Sequence, residues 1–82
     1  MPDLFTTVAD LIEQVADVPA EEISPDVRFA SLANWTSLEA LRLLSALEDD
    51  LGVRLDLRAY LAVTAVGELV DLVAGELDGA TR

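Results

Sequence analysis

The chain has no cysteine and no histidine, and its only cationic side chains are five arginines. Without cysteine there is no disulfide and no thiolate metal site. Without histidine the usual general base and the commonest neutral metal ligand are both missing, so a serine–histidine hydrolase is excluded within this chain. Acids outnumber bases 16 to 5, for a formal charge of −11. Such a surface repels phosphate backbones, so no nucleic-acid partner is expected. It steers basic partner proteins toward itself instead. No apolar run approaches the roughly 20 residues of a membrane span, and the N-terminus lacks a basic stretch followed by an apolar one, so no signal peptide is expected. The expectation is a cytoplasmic monomer with no membrane partner. Hydrophobic residues make up 52% of the 82. That is too many for a disordered acidic tail and enough for one small domain spanning 1–82, whose modest core depends on efficient packing.

Leu4 to Val18 carries helical periodicity. Leu4, Val8, Leu11, Ile12 and Val15 recur at three- and four-residue spacing, with Asp10, Glu13, Gln14 and Asp17 between them. Asp3 is the expected N-cap, and Pro19 closes the segment because it disfavours helical geometry in the residue before it. Pro19 to Trp35 has two prolines and no sustained period. Ile23, Val27, Phe29, Leu32 and Trp35 are spread along it like anchors, which predicts an ordered traversing loop with a short helical turn near Ala20–Ile23.

A second helix is predicted from Thr36, where Thr36 and Glu39 form the capping-box pattern T-x-x-E. Gly52 follows Leu51 at the left-handed C-cap position. Val53 to Asp56 reads as extended, Asp56 as the cap of a brief third helix over Leu57 to Ala62, and Thr64 as the cap of a fourth over about Ala65 to Leu77. Val66, Leu69, Val70, Val73 and Leu77 share one face of that last helix. Gly67 costs it up to ~1 kcal/mol relative to alanine, and Asp78–Arg82 reads as a frayed tail. The sum is an all-α, small four-helix bundle: three main helices, one short helix and a long first loop.

In projection at about 100° per residue, Ala40, Leu43, Leu44, Leu47 and Leu51 form the core stripe of the second helix. Ser37 lies just outside it. Leu38 and Leu41 lie near Ser37, among Arg42, Ser45, Glu48 and Asp49. Two readings are open: the leucines pack under a neighbouring element, or they form an apolar spot that a partner grips. Ser37 itself is either an ordinary helix opener or a hydroxyl placed where the free N–H groups and partial positive charge of a helix start suit a phosphate.

The stretch "SLEALRLLSALEDDL" (Ser37–Leu51) resembles the second helix of acyl and peptidyl carrier proteins, in which a serine opens the helix and hydrophobic residues alternate with acids. "LEDDLGVRL" (Leu47–Leu55) is similar to the family's helix ending, "VTAVGELVDLV" (Val63–Val73) to the opening of its last helix, and "VPAEEISPDVRFASL" (Val18–Leu32) to its long first loop. The resemblance covers nearly the whole chain in the right order. It implies a non-catalytic, freestanding carrier with an acyl-carrier-protein-like fold. Ser37 would receive 4′-phosphopantetheine from coenzyme A, attached by a phosphopantetheinyl transferase with magnesium. The arm's thiol would then hold an acyl or aminoacyl group as a thioester in polyketide or nonribosomal peptide biosynthesis. A loading ligase or transferase and downstream biosynthetic enzymes would dock on Thr36, Leu38, Glu39, Leu41, Arg42, Ser45, Glu48 and Asp49.

The sequence departs from the family in places. Thr36 stands where the family has an aspartate, which keeps the helix cap and removes a carboxylate that helps engage the transferase. Arg42 stands where fatty-acid carriers have glutamate, which points to a dedicated carrier. Leu32 is one position further from the serine than the usual leucine. Asn34 and Trp35 replace a glycine and a small residue, Asn34 tolerating left-handed geometry. Trp35 either plugs the core end beneath the loop, or serves as a partner contact or a wall beside the arm. Glu48, Asp49 and Asp50 are either a solvated helix end or, since acids there oppose the helix dipole, a docking feature. Neither a calcium loop nor a glycine-rich phosphate loop is present. The cargo would lie between the second and third helices near Leu43, Leu47, Tyr60 and Leu61. An alternative is an unmodified carrier-like adaptor that binds proteins through its acidic second helix. A plain acidic interaction module accounts for the bundle and not for the ordered motifs.

Overall fold

Helix α1 spans Leu4–Ala16, α2 Ser37–Leu51, α3 Leu57–Ala62 and α4 Val66–Ala80, with 3₁₀ turns at Ala20–Glu22 and Phe29–Ser31 in the long first loop. This computed structural model describes residues 3–33 and 35–80. Asn34, expected in left-handed geometry, and the last two residues, expected to fray, lie outside the described residues. Among the described residues there is no strand, only one isolated antiparallel bridge between Arg28 and Ala65.

Each helix boundary has a local cause. Asp3 caps α1 by accepting the Thr6 N–H at 2.7 Å. The helix ends sooner than the predicted Val18. Asp17 turns into left-handed geometry (φ 59°, ψ 42°) and donates its N–H to the Glu13 carbonyl, a glycine-type cap made by an aspartate. Pro19 is therefore not the breaker. Gly52 caps α2 at φ 66°, and the Asp56 carboxylate accepts from Ala59 N–H at 3.0 Å to start α3.

α4 begins one residue later than expected, and Thr64 does not cap it with its side chain. The Thr64 hydroxyl instead donates to Glu68 at 2.9 Å, and that same carboxylate accepts the Thr64 and Ala65 N–H groups at 2.6 and 3.2 Å. The next two N–H groups, of Val66 and Gly67, reach the carbonyls of Val27 and Pro25 at 2.9 Å each. The first loop thus satisfies the open donors that a helix start leaves. The expected frayed tail is helical through Ala80.

The core gathers Val8, Leu11 and Ile12 from α1, Leu43 and Leu47 from α2, Tyr60 from α3 and Val66, Leu69 and Val73 from α4. Ile23 and Phe29 reach in from the loop, and Val53 and Leu55 from the extended link. The loop anchors predicted from sequence are therefore in the core or against it. α1 packs on α2 and α4, and α3 on α4. The Cα radius of gyration is 11.7 Å, about that of a compact chain of this length.

Candidate functional site

Helix α2 starts at Ser37 because Thr36 and Glu39 close a capping box. The Thr36 backbone is extended (φ −126°, ψ 179°), its hydroxyl oxygen accepts the Leu38 N–H at 3.2 Å, and Glu39 accepts the Thr36 N–H at 2.9 Å. The Thr36 hydroxyl also donates to Glu39, and this bond, first among the causes, holds the Glu39 carboxyl below its ordinary pKa. Ser37 is consequently fixed as the first helical residue. It is exposed, and among the described residues its hydroxyl has no hydrogen-bond partner. A free hydroxyl sits at the positive end of a four-turn helix, where an anionic ester is electrostatically favoured.

Leu38 is 54% and Leu41 49% exposed. The reading in which these leucines pack under a neighbouring element is thereby excluded, and both stand in solvent on the face that carries Ser37. Arg42, Ser45 and Asp49 are exposed on that side as well. Glu39 and Glu48 are half-buried and turned to local structure, Glu48 accepting from the Leu55 N–H at 3.4 Å.

A groove of about 660 Å³ opens beside Ser37. Ser37 and Trp35 line it, with Phe29 from the loop, Tyr60 and Leu61 from α3, and Val63 beyond. Trp35 stacks on Phe29 with ring centroids 5.1 Å apart and planes at 27°. Trp35 packs against the core, as its structural reading expects, and it also lines the groove. Of the four residues expected near the cargo, two line this groove. Tyr60 and Leu61 contribute, whereas Leu43 and Leu47 have no exposed surface and belong to the core. The Tyr60 hydroxyl donates to the Ala40 carbonyl, tying α3 to α2, and burial pushes its pKa well up. Phe29 and Val63 escaped the sequence reading as groove residues. Only the pairing of Phe29 with Trp35 within one loop hinted at the first.

A family model described as "Phosphopantetheine attachment site" matches residues 6–73. The chain belongs to this family. It is also 28% identical over 72 residues to the acyl carrier protein of Acidothermus cellulolyticus, covering 88% of this chain and 86% of that one. The acyl carrier protein of Picosynechococcus sp. gives 28% over 72 residues, covering 88% and 89% of the two chains. That of Saccharopolyspora erythraea gives 26% over 70 residues, covering 85% and 74%. Members of the phosphopantetheine-attachment family are non-catalytic carriers, and the four-helix arrangement of this member is of the acyl-carrier-protein kind. No described helix is long and apolar enough to cross a membrane.

Proposed function

We propose that the protein carries acyl or aminoacyl intermediates of a polyketide or nonribosomal-peptide type pathway as thioesters, on 4′-phosphopantetheine attached to Ser37. The observation that carries this reading is the exposed, unengaged Ser37 hydroxyl at the start of α2 in a chain of the phosphopantetheine-attachment family. In the attachment step, Ser37 Oγ forms a bond to the phosphorus that bears the pantetheine of coenzyme A. The bond from that phosphorus to 3′,5′-ADP breaks, and the hydroxyl proton leaves to a base of the partner transferase. The chain contributes the nucleophilic oxygen and a positive helix end. It has no histidine to serve as the base. Once attached, the arm provides the thiol chemistry that a cysteine-free polypeptide cannot.

Partner enzymes dock on the α2 face around Leu38 and Leu41, whose exposed side chains give a shallow apolar contact beside the tether. A second reading, an unmodified adaptor docking through the same face, draws on Thr36 occupying the place of the family's aspartate. Intact mass after incubation with coenzyme A, magnesium and a broad-specificity phosphopantetheinyl transferase separates the two. The expected result is the gain of one phosphopantetheinyl group by the wild type and none by Ser37→Ala. That variant keeps the Thr36 cap and should stay within about 0.5 kcal/mol of wild-type stability. No gain with several transferases supports the adaptor, and a gain retained in Ser37→Ala puts the attachment elsewhere.

A further inference from the structure

The groove beside Ser37 has a composition that attachment alone does not require. Phe29 is buried, with the half-buried Trp35 stacked on it. Trp35 lines the groove together with Tyr60, Leu61 and Val63, and Arg28 and Thr64 line it at the polar side. The route into the core is shut. Leu43 and Leu47 are fully enclosed, and the Tyr60–Ala40 hydrogen bond ties α3 to α2 beside the groove. A group tethered to Ser37 therefore meets an open trough with an aromatic wall.

That shape discriminates between cargoes. An extended alkyl chain gains in proportion to the area it removes from water, and in an open trough much of it stays wet. A flat ring needs only one covered face, and offset stacking on the indole adds to its area burial. We infer that this groove is the resting site of the tethered cargo and selects an aromatic acyl group, with Trp35 as the specificity-determining wall. The inference rests on the attachment reading of Ser37.

Trp35 is the only tryptophan, so the indole signal comes from this one residue. The test compares three forms of the protein. One carries the bare arm, one a non-hydrolysable phenylacetyl amide and one an octanoyl amide of the same carbon count, each loaded from the corresponding coenzyme A analogue and verified by intact mass. The phenylacetyl form should be docked over free by about two- to tenfold. This is read as a ring-current shift of the indole N–H resonance and a matching loss of acrylamide quenching. The octanoyl form should stay close to the bare arm. Leu61→Ala should weaken the phenylacetyl effect, and because Leu61 is 59% exposed this truncation spares the core. Equal responses to both cargoes, or none to either in loaded protein, overturn the inference and leave the attachment reading intact. A full response from the bare arm assigns the groove to the arm and overturns it too. Failure of every form to load, the bare arm included, with several transferases removes both readings together.

Discussion

Glu68 shows how much one carboxylate does in this chain. It accepts the Thr64 N–H, the Thr64 hydroxyl and the Ala65 N–H, and so begins α4 without a conventional N-cap side chain. These bonds, the Thr64 backbone donor first, hold its pKa below the ordinary 4.5, with the Arg28 charge adding a smaller pull in the same direction. A carboxyl whose folded pKa is depressed contributes stability that is fully present above its unfolded pKa. That contribution is lost as pH falls through the folded value. Glu68→Ala should therefore be less stable than wild type at neutral pH, and the gap should narrow as pH drops below about 4.5. Urea titrations of both proteins from neutral to acid pH would measure it. A gap constant across that range would mean that the ionised form has no special hold on the helix start. Glu39 repeats the arrangement at α2, where its hydrogen bonds with Thr36 lower its pKa and fix the residue before Ser37.

At the scale of elements, Gly67 and Gly75 lie in the same helix and do different things. A Cβ at Gly67 would lie 3.1 Å from the Pro25 carbonyl oxygen and 3.2 Å from the Pro25 Cβ, while one at Gly75 would meet nothing within 4 Å. The Pro25 carbonyl is held there by the Gly67 N–H at 2.9 Å, so the loop cannot retreat without losing that bond. Gly75→Ala should gain roughly 0.5–1 kcal/mol from helix propensity. Gly67→Ala should fall short of that by about 1 kcal/mol or more, the overpacking cost. Urea midpoints of the two variants check the ordering, and equal gains would show that the loop docks loosely. The same contacts explain what could be read from sequence. The T-x-x-E start of α2, Gly52 after Leu51 and Asp56 before α3 are local devices, with cause and effect within four residues, and the extent of α3 followed from them. How α4 starts is not a local matter, because its donors are met by Val27 and Pro25, some forty residues away along the chain. The site divides in the same way. Ser37 was legible because a capping box and a helix period place it. The groove needed Phe29, Trp35 and Tyr60 to arrive from separate segments, and no periodicity encodes that meeting.

For the molecule as a whole, the question is how a chain with a charge of −11 stays folded. Part of the answer is that many acids are structural. Asp3, Glu13, Glu39, Glu48, Asp56 and Glu68 each accept a backbone N–H within the same fold. They offset the helix starts and turns locally, at contact distances that dissolved ions do not interrupt. The remaining excess is a long-range field that draws in basic partners and repels itself. Two like charges ~10 Å apart in water repel by about 0.4 kcal/mol, and the folded chain brings many such pairs together. Salt acts on these two classes unequally. Going from ~0.01 M to ~1 M shrinks the screening length from about 30 Å to about 3 Å, which removes the repulsion and spares the capping contacts. Stability should therefore rise with salt, by on the order of 1 kcal/mol or about 4–8 °C in melting temperature for a domain of this size. Sodium chloride keeps the comparison free of the divalent ions that carboxylates bind. A thermal melt followed by circular dichroism across the series would decide it. A melting temperature that falls with salt would mean that attractive charge contacts outweigh the self-repulsion of the acidic surface.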